Sequence, residues 1–370
     1  MCVTKPHRSK NSAIVSALLR WFSKTARDLP WRRTRDAYAI WVSEIMLQQT
    51  QVKTVIPYWE RWMRELPTVE SLAKARAEKI HKLWEGLGYY TRVRNMQKAA
   101  QEIMAVHGGE FPRRYDDILE LPGIGRYTAG AIASIAFNEA RPILDGNVMR
   151  VLTRIFGIEE NPREKPANEK LWRLAEELVT AAATVESGAI PNACSHLNQS
   201  LMELGALICT PRQPKCGVCP VRLECIAFRK GKVDLIPNLG LRAPATSRHF
   251  IAIAVVHRGR WLVRQRPAGM VNAHLWEFPN QEVEATAKPK QTARDVLGFA
   301  SSALKEFCTI KHSITRYRIT LTVYRATTKS GDTKNSAKHG RWLTLPEARK
   351  LAFTGAHLKI LKQLADSPEP

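Results

Sequence analysis

Between Asn11 and about Phe228, apolar residues recur at steps of three and four, as in residues 14–22, 38–47, 55–63 and 171–178. That spacing lines one face of an α-helix, so this part of the chain is predicted to be helix after helix. Pro67, Gly86-Leu87-Gly88, Pro112 and Pro122 punctuate the ends. Residues 231–247 carry Pro237, Gly240 and Pro244 without a helical period, which reads as a linker. Beyond it the pattern changes. Residues 249–256 form a strand-like apolar run, and 260–266 and 316–324 alternate with a period near two. Helices are expected around 292–304 and 345–364, and no repeat of fixed period occurs. The expected organisation is multidomain: an all-α domain over 1–230, a linker over 231–247, and an α+β domain over 248–370.

Length and composition agree with two real cores. The chain has 370 residues, 44% of them hydrophobic, which argues against disorder. Its 57 lysines and arginines outnumber 34 acidic residues, for a net charge of +23. The excess is spread over both parts, +10 on residues 1–230 and +13 on 231–370. Folded, basic surfaces on both domains point to nucleic acid as partner, against a solvated basic surface without a ligand. The early apolar run 13–19 is too short for a membrane span and runs into Arg20-Trp21 rather than a small-residue cleavage site. A soluble, cytoplasmic protein with no membrane partner is expected.

Four of the seven cysteines, Cys209, Cys216, Cys219 and Cys225, fall within 17 residues. Disulfides among them would close only very small loops, whereas four thiolates can wrap one metal centre. Zinc and an iron–sulfur cluster both accept four cysteines. Zinc sites more often pair two short spacings, and only Cys216–Cys219 has one, which favours the cluster. Such thiols imply a reducing compartment.

Leu121-Pro-Gly-Ile-Gly-Arg-Tyr-Thr-Ala-Gly130 lies between two helical patterns. Gly123 and Gly125 permit a tight turn into a helix N-terminus, whose amides suit a phosphate oxygen. No Gly-Lys-Ser/Thr follows, and the third glycine of a dinucleotide fingerprint is replaced by Thr128. The alternatives are a plain helix corner and a helix-hairpin-helix on a DNA backbone; the charge favours the second.

Two carboxylates stand out. Glu44 shares a helix face with Ile40, Leu47 and Gln48. Apolar neighbours favour its acid form and suit it to general acid work, unless it sits at a helix edge paired with a basic side chain. Asp145 precedes Gly146-Asn147-Val148, where a helix starts, and is expected to cap it as an anion. One protonated and one ionised carboxylate is the pair that glycosidic cleavage uses.

Taken in order, Trp41-Val-Ser-Glu-Ile-Met-Leu-Gln-Gln-Thr50, Trp84-Glu-Gly-Leu-Gly-Tyr-Tyr90, the 121–130 turn, Leu144-Asp-Gly-Asn-Val148 and the cysteine spacing resemble the A/G-specific adenine DNA glycosylase (MutY) family. This family belongs to the helix-hairpin-helix base-excision superfamily. The resemblance is strong over residues 28–228 and weaker from 249 onward. It implies hydrolysis, by a monomer on duplex DNA, of the N-glycosidic bond of adenine opposite 8-oxoguanine or guanine, initiating base excision repair. Glu44 is then the residue that protonates adenine at N7, Asp145 stabilises the oxocarbenium ion or its covalent equivalent, and Asn147 helps orient it. Gln49 and Tyr89 match wedge positions that fill the gap left by the flipped base, with Leu47 and Gln48 beside them. Gln199 matches the position that reads the flipped adenine, Gly123 and Gly125 grip the backbone, and the four cysteines bind a [4Fe-4S] cluster. Endonuclease III, of the same superfamily, carries a Schiff-base lysine where this chain has Tyr127. A phenol forms no imine, so a monofunctional glycosylase is expected.

In the second domain, Val271-Asn-Ala-His-Leu-Trp-Glu-Phe-Pro279 resembles the approach to a Nudix box. The box itself is absent, because Gly298 and Phe299 align with two magnesium-binding carboxylates. A Nudix-like binding module that reads 8-oxoguanine is implied, rather than a pyrophosphatase. Its reading loop, Phe-Ser-His in many relatives, aligns with Ile314-Thr315-Arg316, so Thr315 is the candidate contact. Two other readings have less support: a pyrimidine-directed glycosylase with lyase activity, opposed by Tyr127, and a non-catalytic iron–sulfur DNA binder, which has no use for a desolvated Glu44.

Overall fold

The computed structural model describes residues 10–186, 190–241, 244–284, 286–302, 304–314, 316–328 and 340–367. The chain forms two compact units, Met1–Lys74 with Asn95–Arg242, and Ala75–Arg94 with Ala243–Pro370.

Helices α1 (Lys10–Thr25), α2 (Ala37–Leu47), α3 (Val52–Glu65), α4 (Val69–Lys74), α5 (Ala77–Trp84) and α6 (Thr91–Val106) come first. They are followed by α7 (Tyr115–Glu120), α8 (Arg126–Phe137), α9 (Gly146–Phe156), α10 (Lys165–Glu186), α11 (Ala193–Leu207) and the short α12 (Ile226–Arg229). The runs expected to be helical are helical. Helix α11 is the hub of the first unit, packing on α1, α8, α9 and α10, and most of its side chains are buried. Small residues allow close approach: a Cβ at Gly130 of α8 would lie 2.2 Å from the Pro142 carbonyl oxygen.

The unit boundary does not follow the sequence cut in one respect. Helix α5 and the start of α6 group with the C-terminal residues. Hydrogen bonds hold them there: Lys82 donates to the Leu351 carbonyl at 3.1 Å, and Glu85 accepts from the Phe353 amide at 2.8 Å. The expected linker is also anchored at its start, since Ile236 is buried and its carbonyl accepts from Arg154 Nε at 2.7 Å.

In the second unit, strands β1 (Thr246–His257), β2 (Arg260–Gln265), β3 (Trp276–Glu277), β4 (Asn280–Val283), β5 (Lys305–Ile314), β6 (Tyr317–Thr327) and β7 (Arg341–Leu343) make a mixed sheet of order β3-β2-β1-β6-β5. Strand β4 extends it from β1 and β7 from β2. The pair β1–β6 is parallel, with Phe250 opposite Leu321. Strand β1 is apolar on both faces because both are covered. Ile251, Ile253 and Val255 meet α13 (Pro289–Leu297), while Ala252, Ala254 and Val256 meet the cluster containing Phe278, Phe353 and Ile360. Helix α13 is shorter than expected, ending where Gly298 takes φ +71°. The helix expected over 345–364 is two, α14 (Leu345–Arg349) and α15 (Gly355–Ala365). Between them the chain extends so that Trp276 pairs with Phe353.

Candidate active site and candidate metal centre

A cleft of about 510 Å³ opens in the helical unit. Its walls include Ile40, Ser43, Glu44, Leu47 and Gln48, so the helix face read from the sequence is one wall of the cleft. Gln49, Tyr127, Asp145, Asn147 and Gln199 line the same space. The cleft therefore gathers both candidate carboxylates from α2 and from the loop before α9, elements about a hundred residues apart in sequence.

Glu44 is buried, and Tyr127, from the first turn of α8, donates its hydroxyl to Glu44 Oε2 at 2.7 Å. Burial pushes the Glu44 carboxyl up to about 7; the Asp145 carboxylate adds to this, while the Tyr127 bond and the Arg32 charge oppose it. The Tyr127 phenol is itself raised by burial and by the two carboxylates, so it is a neutral donor. The sequence makes Tyr127 a catalytic candidate through the missing lysine, and does not show this link to Glu44.

Asp145 caps α9 as expected: its Oδ1 accepts from the Val148 amide at 2.7 Å, and its Oδ2 accepts from Asn147 Nδ2 at 3.0 Å. Burial pushes the Asp145 carboxyl upward more than its amide donors, Asn147 and Arg150 hold it down. An anion held there is poorly solvated, which strengthens its attraction for a nearby cation. Asn147 is fixed in turn by Arg150, whose Nη2 donates to Asn147 Oδ1 at 2.8 Å.

Gln199 projects from α11 into the cleft and donates to Ser195 Oγ at 3.0 Å. Gln49 and Tyr89 both hold left-handed backbone, φ +56° and +49°. Non-glycine residues adopt this region uncommonly. Tyr89 lies in the other compact unit, 47% exposed, and Arg92 stacks on its ring. Gly123, φ +79°, and Gly125, the cap of α8, form the expected turn between α7 and α8, outside the cleft lining. A Cβ at Gly123 would stand 2.6 Å from Asn95 Cβ, so only glycine fits. Thr315 lies outside the described residues.

Four charged or tryptophan side chains of the wall are not singled out by the sequence. Arg27, Trp31 and Arg32 come from the stretch after α1, and Glu203 from α11. Glu203 stands four residues after Gln199, one turn along the same helix, which is the signal that could have found it.

Cys209, Cys216, Cys219 and Cys225 line one small pocket whose other walls are largely apolar, Ile155, Leu204 and Ile208 among them, with Arg154 and Arg222. Among the described residues, no three ligating side chains converge on a single-ion position. Four thiols around one pocket are a donor set that an iron–sulfur cluster takes. Buried Arg154 donates to Cys209 Sγ at 3.4 Å and offsets thiolate charge. Burial, together with the other cysteines, raises the thiols of Cys216, Cys219 and Cys225.

Residues 42–177 match the HhH-GPD superfamily of base excision DNA repair proteins, and residues 251–363 match the NUDIX domain. A mouse (Mus musculus) adenine DNA glycosylase is 33% identical over 413 residues, covering 96% of this chain and 78% of its own length. The chain belongs to the adenine DNA glycosylase family. The human (Homo sapiens) adenine DNA glycosylase is 34% identical over 95% of this chain and 74% of its own, and one from Buchnera aphidicola is 37% identical over 71% and 72%. Among solved structures, a thermostable thymine-DNA glycosylase superposes with TM-score 0.53 at 31% identity, covering 60% of this chain and 97% of its own. The adenine-directed mammalian relatives thus extend into the Nudix-like unit, which a match of that span cannot include in full. The chain is a DNA glycosylase with a helix-hairpin-helix helical domain and a Nudix-like C-terminal domain. No helix among the described residues is long and apolar enough to cross a membrane.

Proposed function

We propose that the chain hydrolyses the N-glycosidic bond of adenine mispaired with 8-oxoguanine or guanine in duplex DNA. One observation carries the reading: Glu44 and Asp145 line a single cleft with room for a base, and burial holds the Glu44 proton up to about 7. A base inside the stack is out of reach, so the adenine is flipped into the cleft, while Leu47, Gln48, Gln49 and Tyr89 fill and probe the gap. Tyr127 donates to one Glu44 oxygen, so the acidic proton resides on the other. Glu44 delivers that proton to adenine N7, and the bond pair leaves with N9. Asp145, oriented by Asn147, stabilises the cationic sugar until water adds at C1′ and leaves an abasic site. Gln199 supplies amide hydrogen bonds to the flipped base. Tyr127 cannot form an imine, so no efficient strand cleavage follows, and borohydride treatment with substrate DNA should trap no covalent adduct.

Gly123 and Gly125 open the amides of α8 to a backbone phosphate. Cys209, Cys216, Cys219 and Cys225 would hold a [4Fe-4S] cluster. With four protein ligands it offers no open site and supplies a scaffold for the basic loop rather than chemistry on the substrate. A reducing, cytoplasmic setting suits these thiols. The Nudix-like unit reads the opposite base, with Thr315 as its candidate contact; Gly298 in place of a carboxylate argues against metal-dependent hydrolysis there.

The deciding experiment offers the purified protein, as a monomer, duplexes with adenine opposite 8-oxoguanine, guanine or thymine. Adenine release from the first two, lost in Glu44→Gln, supports the reading; release of pyrimidine overturns it. Iron and acid-labile sulfide in equal amounts, lost in Cys216→Ser, support the cluster.

A further inference from the structure

Glu203 has no part in the chemistry just described, yet its carboxylate is fully buried at the cleft wall. It accepts from Arg27 Nε at 2.8 Å, Arg27 Nη2 at 2.6 Å and the Arg27 amide at 3.0 Å. Arg32 Nη2 reaches the same carboxylate at 3.0 Å and its Nη1 donates to the Arg27 carbonyl at 3.2 Å. Both arginines also line the cleft, with Trp31 between them in sequence. Four hydrogen bonds thus tie the segment after α1 to α11, the helix that presents Gln199, and a fifth braces the segment itself.

We propose that Glu203 is a positioning residue that fixes Arg27 and Arg32 as a hydrogen-bond-donor wall of the base pocket and so sets which purine it accepts. The inference rests on the adenine reading above. Guanidinium groups donate and never accept. Adenine offers an unprotonated N1 to such a wall, whereas guanine carries N1–H there and leaves both donors opposed. A site whose fixed polar groups find no partner rejects the analogue strongly.

Glu203 has a second effect through charge. The charged or titratable groups on the cleft wall are Arg27, Arg32, Asp145, Glu203 and Tyr127, together with Glu44. Arg32 draws Glu44 toward its ionised form. Burial raises the Glu203 carboxyl, but the hydrogen bonds from Arg27 and Arg32 reverse this and hold it at about 2, so it stays an anion that offsets both arginines. Removing that anion leaves the cations uncompensated, and Glu44 then loses its proton at lower pH.

The test is single-turnover excision by the full-length protein across pH, on duplexes with adenine or guanine opposite 8-oxoguanine. For Glu203→Gln, the midpoint at which the rate falls with rising pH is expected about one pH unit lower. The concentration of enzyme giving half-maximal rate rises about tenfold, and discrimination against guanine narrows. Glu203→Asp keeps the charge and should keep the midpoint. A Glu203→Gln midpoint equal to wild type, or a Glu203→Asp midpoint shifted as far as the Gln one, overturns the proposal. Should Glu203→Gln fail to fold, Arg32→Gln decides: removing the cation itself must move the midpoint upward. Failure of wild type to release adenine sinks the underlying reading as well, whereas an active wild type with an unmoved midpoint sinks only this one.

Discussion

Glu44 in the helical unit and Glu277 in the sheet unit are buried to the same degree, 4% and 3% exposed. Their surroundings are opposite. Glu44 meets a neutral phenol and a second carboxylate, and burial raises it to about 7. Glu277 accepts from Arg264 at 3.1 Å and from Arg266. Burial raises Glu277 too, but the cationic surroundings of His357, Arg266 and Arg264 reverse it and hold the carboxyl low. At neutral pH the arginines carry that effect. Burial holds His357 down at about 4, and its Nδ1 accepts from the Phe278 amide, as a neutral ring does. Where a carboxyl must carry a proton, the fold gives it a phenol as its hydrogen-bond donor; where it only joins strands, the fold gives it guanidinium groups. The same rule separates Glu44 from Glu203 within one cleft.

The largest expected effect comes from removing the proton. Glu44→Gln should lower the adenine excision rate by about 10²–10⁴-fold, the usual contribution of a general acid. Its stability should move the other way. An unfolded glutamate gives up its proton near its ordinary value, whereas folded Glu44 keeps it to about 7. As pH rises between these limits the folded state holds a proton the unfolded state has released, so stability falls. Glu44→Gln removes that penalty and should gain about 1–3 kcal/mol at pH 8, and nothing at pH 4, in denaturant melts. A destabilised variant at pH 8 would break the comparison.

Glu277→Gln is the counterpart. It strands two arginines in a buried site, which costs about 3–5 kcal/mol when one partner of a buried pair is lost. Denaturation of the second unit should reveal it at neutral pH, where Glu44→Gln is neutral to stabilising. Equal effects of the two substitutions would show that burial alone, not the partners, sets their roles.

Much of this was legible in the sequence, for a physical reason. Ile40, Glu44, Leu47 and Gln48 share a face because a helix repeats every 3.6 residues, and that face is the cleft wall. Asp145 caps α9 because cap geometry is local. What escaped was non-local. Tyr127 and Glu44 stand 83 residues apart, and Arg27 and Glu203 stand 176 apart. No period encodes such pairs. Strand β5 was missed because it lies at the sheet edge, pairing only with β6 among the described residues, and its half-exposed residues carry little alternation. The break between α14 and α15 was missed because pairing of Phe353 with Trp276, 77 residues away, decides it.

The smallest effect sharpens the comparison most. In Tyr127→Phe the cleft keeps its shape but loses the one hydroxyl that donates to Glu44 Oε2. That bond opposes the rise caused by burial, so without it Glu44 holds its proton to higher pH. The midpoint of the rate–pH profile should move upward by less than about one pH unit. Single-turnover excision should therefore fall less at pH 8 than at pH 6, relative to wild type, because more of the variant is protonated there. Glu203→Gln moves the same midpoint downward, so the two variants bracket wild type from opposite sides. If both move it in one direction, the profile reports general loosening of the cleft rather than the balance between a hydroxyl that favours the Glu44 anion and a carboxylate that shields it from Arg32.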